Sequence, residues 1–134
     1  MKFRFLAALG LACSLAFSAL AVLAEDAAPK PSLSNKWRLE VSGGANSDGT
    51  MLFRVTPDQG APVDVTVAID DGRGENAVAG DIKNALRKAL DGKTYTVEVD
   101  DGEDVLVKKK KGPDFTIELV ESTVKNTKVQ IEKE

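Results

Sequence analysis

The 134-residue chain contains no histidine, and its one cysteine, Cys13, lies in an apolar N-terminal run. Without histidine, the commonest general base and the commonest metal ligand are both missing. The chain also has one Trp, one Tyr and 5% aromatic residues overall. Trp37 and Tyr95 fall at inward positions of alternating segments, which suits a core better than a carbohydrate platform. Little in the sequence supports an enzyme. Ser42, Ser47 and Ser122 lack any nucleophile-elbow motif, and Gly72-Arg73-Gly74 is not followed by a nucleotide-binding fingerprint. A carboxylate pair such as Asp70 with Asp101 has the chemistry for glycoside hydrolysis, but nothing in the sequence sets their separation. The expectation is a non-enzymatic protein with no cofactor and no metal.

The N-terminus has the form of a secretory signal. Lys2 and Arg4 precede the apolar run Leu6–Leu23, and Val22-Leu23-Ala24 offers a cleavage site before Glu25. The alternative is a retained membrane anchor, because a run of this length approaches spanning length. Ala, Ser and Gly dilute the run, and its cleavage-like end favours removal. The expected organisation is a signal peptide over 1–24, a flexible Pro-containing lead over 25–35, and one domain over 36–134. That places the domain in the periplasm or outside the cell. Without Cys13 it has no disulfide and depends on burial alone. Removing Lys2 and Arg4 leaves 16 basic against 21 acidic residues, a formal net charge of −5. A mildly acidic domain has no bulk attraction for nucleic acid.

The clearest helical period is in Glu75–Leu90. Val78, Ile82, Ala85, Leu86 and Ala89 form an apolar stripe, and Lys83, Asn84, Arg87, Lys88 and Asp91 take the other side. Gly80 interrupts this helix, and a close approach to a sheet would explain it. Asp91-Gly92 predicts the end, with the glycine left-handed. Every other regular segment alternates with period two. Inward positions are Trp37, Leu39 and Val41; Met51, Phe53 and Val55; Val63, Val65, Val67 and Ile69; Tyr95, Val97 and Val99; Val105 and Val107; Phe115, Ile117 and Leu119. A last strand is expected near Thr127–Glu132. Asp101-Gly102 signals a tight hairpin, and the glycine-rich loop Gly43–Gly49 predicts another.

The expected fold is therefore α+β: a curved, mostly antiparallel sheet of six to seven strands packed on one helix over 75–91. A helix is about 10 Å wide and strands are spaced about 4.8 Å apart, so one helix covers two or three strands. The remainder must curl over, pair with a second layer or dock on another subunit. The favoured arrangement folds the N-terminal hairpin over the free end of the sheet. It also joins the Val63–Ile69 and Tyr95–Val99 strands by a parallel, right-handed crossover through the helix.

From Val65 to Leu119 the order is a strand, a glycine-containing loop, an Ala-rich helix (Ala77, Ala79, Ala85, Leu86, Ala89), a strand–Asp-Gly–strand hairpin, and a strand opened by Gly112 and Phe115. This stretch, about 55 of the 134 residues, resembles the small β-α-β-β module of flagellin variable regions and of phage tail and baseplate structural proteins. The resemblance implies a structural or surface-interaction role without catalysis. The chain departs from those families in being short, single-module and signal-bearing, and no functional residues carry over.

Two charge clusters remain. Lys108, Lys109, Lys110 and Lys111 could grip a polyanion such as lipopolysaccharide or a sugar phosphate; the plainer role is to guard a sheet edge against aggregation. No aromatic residues interleave them to stack bases. Asp100, Asp101, Glu103 and Asp104 put four carboxylates on one turn, but their spacing fits no calcium loop. Asp70, Asp71 and Glu75 suit a loop and a helix start. The functional expectation is an exported structural or interaction module acting through protein–protein contacts with an envelope or secreted partner, or as a homo-oligomer. The alternative is a binding protein for a small molecule or polyanion of the cell envelope.

Overall fold

Two antiparallel sheets share one core with a single helix in the computed structural model, which describes residues 32–134. The expected signal peptide and most of the lead lie outside the described residues. The strands are β1 (Lys36–Ser42), β2 (Gly49–Pro57), β3 (Val63–Ile69), β4 (Tyr95–Asp100), β5 (Asp104–Lys109), β6 (Phe115–Ser122) and β7 (Lys128–Lys133); helix α1 (Glu75–Ala89) follows β3. One sheet has the order β4-β5-β1-β7 and the other β3-β2-β6. Among the described residues, no helix is long and apolar enough to cross a membrane.

The expected class, α+β with antiparallel strands and one helix, is present, but the single curved sheet is not. β1 is paired on both sides, with Leu39 opposite Val105 of β5 and Ile131 of β7. No side remains for β2, so the Gly43–Asp48 loop carries the chain into the second layer instead of closing a hairpin. β3 and β4 likewise belong to different sheets, which removes the expected parallel crossover. β2 and β3 form a hairpin that no turn signal marked, and the expected β4–β5 hairpin forms. In the latter turn, Asp101 and Gly102 are both left-handed, with φ of 50° and 81°. Thus the surplus apolar faces that one helix cannot cover are covered by each other.

Leu39, Val41, Val105 and Val107 on one sheet meet Met51, Phe53, Val55, Val65, Val67 and Ile69 on the other, and all are buried. The helix packs against β3 of one sheet and β4, β5 and β1 of the other, burying Val78, Ala79, Ile82 and Leu86. At the opposite margin β6 and β7 lie next to each other. Phe115 joins the layers. Its carbonyl accepts the buried Trp37 indole N–H at 2.9 Å, and its ring meets Tyr95 edge-on at 5.1 Å between centroids. Trp37 and Tyr95 belong to the four-stranded sheet, Phe115 to the three-stranded one. Aromatic edge-to-face pairs of this kind add roughly 0.5–1.5 kcal/mol beyond burial.

The helix ends differ from expectation. Gly74 is the N-cap and offers no side chain, and Glu75 accepts the Gly43 backbone N–H. The helix stops at Ala89 because Leu90 turns extended and drops its side chain into the core. Gly92 is not left-handed; Asp91 organises the turn by accepting Lys93 N–H and the Thr94 hydroxyl. A Cβ at Gly80 would meet nothing within 4 Å, so no close sheet approach explains that glycine. Gly43 does require its identity. Its φ is +78°, and a Cβ there would fall 2.5 Å from the Asn126 carbonyl oxygen.

Candidate functional site

The four consecutive lysines do not form one patch. Strand alternation and the turn after β5 send them to separate partners. Lys108 pairs with Glu98 across β4–β5. Lys109 reaches Asp114 at 2.6 Å and the Gly112 carbonyl at 3.1 Å. Lys110 donates to the Gly92 carbonyl at 2.8 Å, and Lys111 is exposed. The pairing with Lys108 holds the Glu98 carboxyl below its usual range.

The acidic turn is also divided. Asp100 and Asp104 face each other across the hairpin and both meet Arg38 of β1, which also pairs with Glu134. Lys36 reaches Glu134 at 2.6 Å. Glu134 and then Asp104 raise the Arg38 guanidinium above its ordinary value, and Lys36 and then Arg38 lower Glu134. Asp101 and Glu103 remain in the turn. Asp70 and Asp71 are exposed, and Asp71 N–H donates to Asp48. No three carboxylates converge as a metal-binding group among the described residues.

The outer faces of the two sheets are chemically unlike. The four-stranded sheet shows a lattice of charges: Lys36, Arg38 and Glu40 on β1, Glu98 and Asp100 on β4, Asp104 and Lys108 on β5. Leu106 sits within this lattice, opposite Arg38 and Glu98, and is only 4% exposed. The stems of such long charged side chains can cover an apolar neighbour while their heads stay in water. The three-stranded sheet instead presents Thr50, Leu52 and Thr56 on β2, Thr66 and Ala68 on β3, and Thr116 on β6. At one end Arg54 binds Asp64 at 2.7 Å and lies 3.9 Å from Glu118, and further along β6 the exposed Glu121 lies opposite Leu52. A register shift opposite Leu52 and Phe53 leaves Val120 as the extra residue, 43% exposed. Val63, at the start of β3, is 36% exposed. These two, the large exposed hydrophobic residues among those described, lie on the two edge strands of the same sheet.

β3 pairs with β2 alone, and Val63–Ile69 make no other backbone hydrogen bond among the described residues. Its ladder to β2 runs without a bulge. The corresponding edge strand of the other sheet, β4, is partly capped: Arg87 of the helix donates Nε–H to the Val97 carbonyl at 2.6 Å. Beside that bond lies a half-open cleft of about 280 Å³, lined by Arg87, Leu90, Gly92, Tyr95, Thr96, Val97 and Lys110. Burial raises the Tyr95 phenol above its ordinary value.

Sequence reading singled out Lys110 only as one of four lysines and placed Arg87 on a solvated helix face. Their convergence depends on where α1 lies against β4, for which no local spacing gives a signal. No protein-family model and no curated protein sequence matches this chain.

Proposed function

We propose that the chain is an exported, non-enzymatic interaction module that works in the periplasm or at the cell surface. It docks on an envelope or secreted protein, or on a second copy of itself, through the three-stranded sheet. The observation that carries this reading is the contrast between the two sheets: one outer face carries a lattice of mostly paired charges, whereas the other bears threonines, Leu52, Ala68 and Val120, with Glu121 as its one charge away from the Arg54 cluster, and ends at the unpaired β3 edge. An unpaired strand offers a row of backbone donors and acceptors to an incoming strand, and neighbouring apolar side chains supply burial. Export is supported by the basic start and apolar run of the first 24 residues. The β-α-β-β resemblance of Val65–Leu119 accords with a surface-interaction role.

The test compares the wild-type domain with a Thr66→Lys, Ala68→Lys double variant as bait in an envelope extract, with sedimentation of each alone. Both positions are exposed, so the variant is expected to fold. A partner retained, or a dimer formed, by the wild type and lost in the variant is the expected result. A monomer that retains nothing at moderate salt overturns the reading.

A further inference from the structure

We propose that the cleft between the end of α1 and the β4 edge binds a small organic anion. Its acidic group, a carboxylate or phosphate, lies between Arg87 and Lys110, and its compact apolar part rests on Leu90 and Tyr95. This site is separate from the three-stranded sheet, and its test does not bear on docking there.

Charge supports the assignment first. Lys36, Arg38, Arg54, Arg73, Lys108 and Lys109 each have a carboxylate within 4.0 Å. The two cations lining the cleft, like the exposed Lys88, Lys93 and Lys111, have none within that distance among the described residues; what sets these two apart is that each is held at the cleft by a backbone carbonyl. Arg87 uses Nε toward Val97 at 2.6 Å, which leaves its two terminal nitrogens as donors. Lys110 uses one of three N–H groups toward the Gly92 carbonyl at 2.8 Å. Carboxylates on the adjoining elements are already engaged. Glu98 pairs with Lys108. Asp91 accepts Lys93 N–H and the Thr94 hydroxyl, which hold its carboxyl below the usual range.

Shape and rigidity supply the second argument. One hydrogen bond to a backbone carbonyl orients each of these exposed cations toward the cleft, which lowers the ordering cost of binding. Leu90 is 6% exposed and held as the helix cap, and Tyr95 is braced by Phe115. The Lys110 backbone N–H donates to the Thr94 carbonyl at 2.6 Å, closing the floor. A cleft of about 280 Å³ lies just below the usual range for small-molecule sites, which limits an occupant to one ring or a short branched chain. A guanidinium with two free terminal nitrogens matches the two oxygens of a carboxylate or phosphate.

Phenyl phosphate, benzoate, inorganic phosphate and neutral benzyl alcohol serve as probes, read by amide chemical shifts of the folded domain. Phenyl phosphate or benzoate is expected to shift the amides of Leu90–Val97 and Lys110 saturably, and the stronger of the two identifies the acid. Inorganic phosphate should bind about tenfold more weakly, and benzyl alcohol should leave these amides unmoved. Lys110→Gln should weaken binding about tenfold, while Lys111→Gln, on an exposed neighbour, should leave it unchanged. Arg87→Lys, which keeps the charge and a donor, guards against a loss caused by freeing the Val97 carbonyl; it should bind more tightly than Arg87→Met. Absence of saturable shifts at these amides up to ~10 mM probe overturns the proposal. Equal binding by Lys110→Gln and Lys111→Gln also overturns it.

Discussion

Alanine placed at Gly43 and at Gly80 should move stability in opposite directions. At Gly43 the backbone is left-handed, and the new methyl group would meet the Asn126 carbonyl oxygen at 2.5 Å. Gly43→Ala should cost about 1–3 kcal/mol, read as a lower denaturant midpoint. Gly80 is helical with open space where its Cβ would be, so Gly80→Ala should add about 0.5–1 kcal/mol. A second residue-scale prediction concerns Tyr95, the only tyrosine. Burial disfavours its phenolate, so an absorbance titration should show one midpoint above the ordinary value of about 10. Any stability tied to that group is complete at neutral pH and declines only as pH climbs past the unfolded value.

Strands and their partners respond to acid and to truncation in predictable ways. Asp64 is lowered by Arg54, Glu98 by Lys108, Glu134 by Lys36 and then Arg38, and Asp91 by Lys93 N–H and Thr94. Folded values below the unfolded ones mean that their contribution is complete above the ordinary carboxylate range and fades as pH falls through the folded values. Urea midpoints should therefore be nearly level from about pH 5 to 8, where no histidine titrates, and decline below about pH 4. Phe115 should be among the costliest truncations. Phe115→Ala removes a fully buried ring that braces Tyr95, and about 3–5 kcal/mol should be lost in equilibrium unfolding. The strands were legible as elements because each keeps one apolar face. Their pairing was legible only at the Asp101-Gly102 turn between β4 and β5; β1 and β2 alternate in the same way, and period two does not say which strand lies beside which. That choice rests on the occupation of both sides of β1 by β5 and β7, from distant parts of the chain. Leu106 escaped for a similar reason, since it follows the outward alternation and is buried by charged neighbours. The cleft was illegible because Arg87 acquires its role only by reaching a β4 carbonyl.

Across the whole domain, the two sheets and the helix share a single buried cluster. No layer can separate without exposing the apolar face of another, so unfolding should be two-state. Trp37 joins β1 to the β6 carbonyl of Phe115, which makes its fluorescence a reporter of contact between the layers. Its melting curve should coincide with that of the far-ultraviolet circular dichroism signal; a Trp37 midpoint at lower denaturant would mean the sheets part before they melt. The two unlike outer faces also limit growth. If two copies meet through their threonine-bearing flanks, each has spent its one adhesive side and turns the charged face of its four-stranded sheet to the next arrival. Such a pair is closed by symmetry, and a filament has nowhere to begin.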